Sequence, residues 1–190
     1  MSRSMLSLVA VTVITTACAN STQMVASWRD PAAGPAPLGR TLAVFMSAEP
    51  GMRRMVEDKL AASLPGGTAS YHLIPDDQVS NIESLRNGLA QGGYDGIVVM
   101  RLLGVSSEVS AVDGNSDIYG YWRYWGYATE PISYRTDYLY SVESSLYSAR
   151  DGRMKWMARS QTLNPKNANK LADYTVNFAV KNLRRAGYMR

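Results

Sequence analysis

Two of the side chains that carry most enzyme chemistry occur once each in this 190-residue chain, as Cys18 and His72. One of each is too few for a zinc site of the usual kind, which takes three or four such ligands. Nucleophilic catalysis would need His72 beside a Ser or Thr and an orienting acid. Its setting, Ser70-Tyr71-His72-Leu73-Ile74, reads instead as part of a strand. Asp113-Gly114-Asn115-Ser116-Asp117 presents oxygens at alternate positions but lacks the closing Glu of a calcium loop, so it reads as a polar turn. Pro65-Gly66-Gly67-Thr68 lacks the Lys of a phosphate-binding loop and follows a helical pattern rather than a strand. No catalytic residue, metal ligand or cofactor is assigned. An envelope hydrolase would have to rest on His72 or on a carboxylate pair that the sequence does not mark.

The unusual stretch is Tyr119-Gly120-Tyr121-Trp122-Arg123-Tyr124-Trp125-Gly126-Tyr127, with six aromatic rings in nine positions. Trp, Tyr and Arg are the enriched anchors of protein interfaces, and flat rings with a polar handle also stack on sugars. The segment therefore reads as a contact surface for an envelope protein or for peptidoglycan, through Tyr119, Tyr121, Trp122, Arg123, Tyr124, Trp125 and Tyr127. A long hairpin covering its own sheet would use the same residues.

Cys18 is read from what precedes it. Arg3 is followed by an apolar run from Leu6 to Ile14, and Thr15-Thr16-Ala17 leads to the cysteine. Such a run is too short to span a ~30 Å hydrocarbon core as a helix, but it suits an export signal that is later removed. Residues 1–17 are expected as a lipoprotein signal peptide, with Cys18 acylated as the mature N-terminus. Ala17-Cys18-Ala19 also fits ordinary cleavage after Ala19, which would leave a soluble periplasmic protein. Ala19, where Asp would retain a lipoprotein at the inner membrane, favours the periplasmic face of the outer membrane.

The net charge of +4 is small and scattered, so no nucleic-acid partner is expected. Lys181, Arg184, Arg185 and Arg190 cluster at the C-terminus, where cations complement a helix dipole. An apolar content of 46% suffices for one domain with a core of its own, and with a single cysteine that core must stand without disulfides. The membrane is reached through the N-terminal lipid alone.

Residues 18–40, with Pro31, Pro35 and Pro37, read as a tether and lead-in, although Gln23–Trp28 could form an edge strand. Residues 41–190 read as one α/β domain with an aromatic-rich loop at 113–133. Thr41–Met46 is a buried strand. Met52, Met55, Val56, Leu60 and Leu64 mark a helix after Pro50. Ala69–Ile74 is a second strand, and Val79, Ile82, Leu85 and Leu89 mark a second helix. Tyr94–Leu103 is a third strand, completing a βαβαβ parallel half. Strict alternation over Tyr134–Ser148, a turn signal at Asp151-Gly152 and a return strand through Trp156 predict an antiparallel hairpin with one wet face. Asn164-Pro165 opens a last helix bearing Leu171, Tyr174, Phe178 and Leu183, closed by Gly187. A two-layer or three-layer sandwich results.

Several of these features together resemble a family of uncharacterised bacterial lipoproteins. They are Cys18, Trp28-Arg29-Asp30-Pro31, the Arg53-Arg54-x-x-Glu57-Asp58 helix, Tyr94-Asp95-Gly96, the Leu146-Tyr147 to Trp156 hairpin and Asn164-Pro165. The element order is also similar to the small α/β domains of lipoprotein activators of peptidoglycan synthases and to the N-terminal domain of the periplasmic Tol component. The resemblance implies a lipid-anchored envelope interaction or assembly module and brings no catalytic residues with it.

Overall fold

The computed structural model describes residues 22–34, 36–78, 87–89, 92–112 and 133–190. The chain runs β1 (Thr22–Arg29), β2 (Thr41–Met46), α1 (Pro50–Ser63), β3 (Gly67–Ala69), β4 (Gly96–Val112), β5 (Ser133–Ser148), β6 (Met154–Leu163) and α2 (Ala168–Arg185). These strands form one six-stranded sheet in the order β1-β6-β5-β4-β2-β3. The pairs β2–β3 and β2–β4 are parallel, while β4–β5, β5–β6 and β1–β6 are antiparallel. This is the α/β class expected, a parallel half joined to an antiparallel hairpin and closed by a C-terminal helix.

The helices α1 and α2 pack on one face of the sheet. Val56 and Leu60 of α1 and Val176, Ala179 and Leu183 of α2 meet Val98, Met100, Leu146 and Trp156 in one core cluster. Among the described residues the arrangement is therefore two layers. Pro50 starts α1 where its missing N–H costs nothing, and the turn after it is tight. Gly66 has φ +50, and a Cβ on Gly67 would sit 2.1 Å from the Ala61 carbonyl oxygen. Lys59 of α1 also reaches Asp173 of α2 at 2.6 Å, a partly exposed pair that adds little to stability.

Several boundaries differ from expectation. The strand expected over Ala69–Ile74 ends at Ala69, and Ser70–His72 is a 3₁₀ turn, because the Glu57 carboxylate takes the Tyr71 N–H and the Ser70 hydroxyl. His72 is consequently an exposed turn residue and not a strand residue. Asp76–Gln78 is also a 3₁₀ turn. Asn87–Leu89 is helical, and Val79, Ile82 and Leu85 lie outside the described residues. The β5–β6 link spans residues 149–153, longer than a two-residue turn, with Gly152 at φ +68.

The last helix is capped by Asn167, whose side chain accepts the Lys170 N–H at 2.9 Å. Asn164 is occupied elsewhere, at φ 44. Its Oδ1 accepts the Tyr138 N–H at 2.7 Å, and its Nδ2 donates to Asp137 at 2.5 Å, tying the end of β6 to β5. Thr22–Arg29 forms an edge strand against β6, with a bulge between Met24 and Ala26.

The largest departure is the length of β4, which continues well past Leu103 and has 17 residues against the 16 of β5. Pairing with β2 stops at Met46↔Arg101 and pairing with β6 stops at Leu139↔Leu163. The β4–β5 ladder nevertheless runs on to Val112↔Ser133. A two-stranded ribbon thus projects from one end of the sheet. Its alternating register is sustained by small and β-branched residues, with one bulge between Leu102 and Gly104.

Candidate functional site

A cleft of about 550 Å³ opens at the root of this ribbon. It lies at the carboxyl ends of the parallel strands β2 and β4, the end of an open α/β sheet at which ligands characteristically bind. Phe45, Leu102 and Tyr140 of the sheet line it, with Met52 of α1 and Leu171 of α2. Glu49 and Asn167, at the starts of the two helices, stand at its rim. The lining is mainly aliphatic, thioether and aromatic, with Ser47, Glu49, Lys166 and Asn167 as its polar members at the helix starts and strand end, which suits an apolar side chain or chain segment. Met46 and Leu102 are 61% and 45% exposed, and Val105, Val109 and Tyr138 carry the apolar surface outward along the ribbon.

What positions the cleft is a buried ionic network at the start of α1. Glu57, fully buried, accepts through Oε1 from Phe45 N–H (3.0 Å), Arg53 Nε (3.1 Å) and Ser70 Oγ (2.7 Å). Its Oε2 accepts from Tyr71 N–H at 2.9 Å. Arg53, 3% exposed, donates to Asp76 (2.8 Å), to Ser70 Oγ (2.9 Å) and to the Ile74 carbonyl (3.0 Å). Pairing between β2 and β3 ends at Ala43↔Ala69, and the Glu57 carboxylate takes the Phe45 N–H beyond it. The Phe45 bond ties α1 to β2, and the bonds to Ser70, Tyr71, Ile74 and Asp76 tie α1 to the turns that follow β3. The network thereby holds in place α1, whose Met52 and Val56 line the cleft.

A second charged group lies on the sheet face away from the helices. Glu143 of β5 sits between Arg101 of β4 and Arg159 of β6, at 2.8 and 3.1 Å. Burial pushes its carboxyl up, but the hydrogen bonds and charges of Arg159 and Arg101 outweigh that, and its pKa falls below the usual carboxylate range. The face expected to be wet is thus closed here, with Glu143 and Ser145 only 8% and 3% exposed. At the opposite end of the sheet, the backbone N–H groups of Arg40 and Gly39, both 2.8 Å from Asp95, likewise lower its pKa.

Cys18, the Asp113–Asp117 turn and Tyr119, Tyr121, Trp122, Arg123, Tyr124, Trp125 and Tyr127 lie outside the described residues. The structure settles only where the aromatic segment is attached, between Val112 and Ser133 at the far end of the ribbon. Among the described residues no group of three or more His, Cys, Asp or Glu side chains is arranged for a metal ion. No described helix is long and apolar enough to cross a membrane, which leaves strand-built membrane contact open. Sequence reasoning missed the ribbon, the cleft and the Arg53–Glu57 network. The i, i+4 spacing of Arg53 and Glu57 was the available signal, though such pairs are ordinarily solvent-exposed.

No family model and no curated protein sequence matches the chain. Among solved structures, a point variant of PelC from Paraburkholderia phytofirmans, crystallised as a dodecamer, aligns over 90% of this chain and 100% of its own. Identity is 9% and the TM-score 0.47. The PelC dodecamer in another crystal form gives 9% and 0.45 over the same shares of the two chains. Lipoprotein GNA1162 from Neisseria meningitidis gives 12% and 0.40, over 77% of this chain and 99% of its own. Likeness at this level carries neither function nor assembly to this chain.

Proposed function

We propose that this chain is a lipid-anchored envelope protein, held at the periplasmic face of the outer membrane through Cys18, that acts by binding and not by catalysis. The observation that supports it is where the chain joins the sheet. Thr22 begins β1 only four residues after Cys18, at the end of the sheet from which the ribbon projects and at which the cleft opens. A lipid on Cys18 would bring cleft, ribbon and aromatic segment close to one bilayer. Each buried methylene contributes about 0.8 kcal/mol, so two or three acyl chains make the attachment effectively permanent. Confinement to a thin layer raises the effective concentration of any partner held there, so a weak interface suffices.

The partner surface in this reading is the Tyr119–Tyr127 segment, with the apolar cleft as a second seat. The apolar lining of the cleft favours an envelope protein over peptidoglycan as the partner. A photoreactive residue introduced in place of Trp122 or Leu102 in cells should trap one discrete protein partner. Retention on isolated peptidoglycan that is lost in the Trp122→Ala/Trp125→Ala double variant, with no protein trapped, would overturn the protein-partner reading in favour of the glycan.

A further inference from the structure

The ribbon reaches farther than the anchor can. Thr22 stands level with Thr162, Tyr140 and Val105 across neighbouring strands. Because β1 runs away from the ribbon, its first residue, Thr22, stands at the ribbon's end of the sheet. Four residues span at most ~14 Å, which bounds how far the Cys18 sulfur lies beyond that level. From Val105 to Val112 the ribbon advances ~24 Å at ~3.4 Å per residue. If the sulfur is held at a bilayer surface, an upright sheet would drive the outer ~10 Å of the ribbon into the lipid. The domain must otherwise tilt well away from upright, which brings one face of the ribbon toward the surface.

The two faces of the ribbon decide which side goes down. On the helix side Val105, Val109 and Tyr138 are exposed, at 48%, 66% and 48%, with only the uncharged Ser107 and Thr136 between them. The other face carries Leu103, Leu139 and Leu163 near the sheet, but farther out it carries Glu108, Asp137 and Arg135, the last two paired at 2.7 Å. A lone ribbon has unpaired N–H and C=O groups along both edges, which hydrocarbon does not tolerate but hydrated headgroups do. The geometry points to a membrane-docking ribbon: its helix-side face, through Val105, Val109 and Tyr138, lies among the headgroups of the bilayer that holds the Cys18 lipid, and its charged face looks to water. This rests on the lipid anchor proposed above and adds to it an orientation. The outer end of the ribbon is then held at the membrane surface.

Cys18 is the only cysteine and lipidation consumes its thiol, so Val109→Cys and Glu108→Cys each leave one reactive sulfur in the full chain. Each variant is labelled with an environment-sensitive fluorophore and reconstituted in vesicles of phosphatidylethanolamine and phosphatidylglycerol containing doxyl-labelled lipid. Docking predicts blue-shifted emission at position 109 and severalfold stronger quenching there than at 108. Equal quenching at both positions means that the ribbon pierces the lipid, and no quenching at either means that its apolar face is left for a protein. Both results overturn the docking. Intact mass of the same preparations separates the two readings. A lipidated chain unquenched at 109 refutes the docking alone, an unlipidated chain quenched at 109 refutes the anchor alone, and an unlipidated, unquenched chain refutes both.

Discussion

Replacing Glu57 by Ala removes the acceptor of four hydrogen bonds at a fully buried position. Breaking a buried ion pair from one side costs about 3–5 kcal/mol, because the remaining charge is left uncompensated. Asp76 still holds one arm of Arg53 at 2.8 Å and offsets part of that loss. Against this, the Phe45 and Tyr71 N–H groups lose their acceptor, at about 1–3 kcal/mol for each that stays buried. A net loss of ~4 kcal/mol follows, a large share of the 5–15 kcal/mol typical of a domain. With a urea slope of about 2 kcal/mol/M, the unfolding midpoint should fall by ~2 M, read by circular dichroism or by the fluorescence of buried Trp156. The double variant Arg53→Met/Glu57→Met should recover the part due to the uncompensated charge but not the part due to the Phe45 and Tyr71 N–H groups, which stay without their acceptor. A Glu57→Ala midpoint within ~0.5 M of the parent would refute the role given to the network.

Other outcomes follow from the same structure. Gly67→Ala should lower the melting temperature by roughly 6–12 °C, the equivalent of ~3 kcal/mol, because its Cβ would meet backbone oxygen with no flexible neighbour to yield. Glu143, with its pKa depressed in the folded state, contributes stability that is full above the ordinary carboxylate range and is lost as pH falls through its folded value. Denaturation across pH should therefore show Glu143→Gln less stable than the parent at pH 7, with the gap closing below about pH 4. His72→Ala, at an exposed turn, should change stability by less than about 0.5 kcal/mol and leave partner capture intact. Loss of capture in that variant would reopen a role for the imidazole.

The fold class was readable because its carriers are periodic. Val98 and Met100 in an unbroken apolar run, Leu60 and Val56 at helical spacing, and Val142 and Leu146 in alternation all land in the core where those periods place them. Two boundary failures share one cause, which is that a side chain distant in sequence redirected the backbone. Ser70 and Tyr71 look like strand residues, but Glu57 captures them into a turn. Asn164 looks like a helix start, but Asp137 and Tyr138 occupy it and leave the cap to Asn167. The ribbon escaped notice because Gly104–Val109 lacks the continuous apolar run that marks a buried strand. An exposed two-stranded ladder needs only the weaker alternation that the facing strand supplies. The cleft brings together α1, α2 and three strands, a juxtaposition that no local pattern encodes.

The account depends most on the chemistry at Cys18. Intact-mass measurement of the mature protein extracted from outer membranes should give the chain from Cys18 to Arg190 with a diacylglyceryl group on its sulfur. A lipid-free chain beginning at Asn20, recovered from the soluble periplasm, would contradict it.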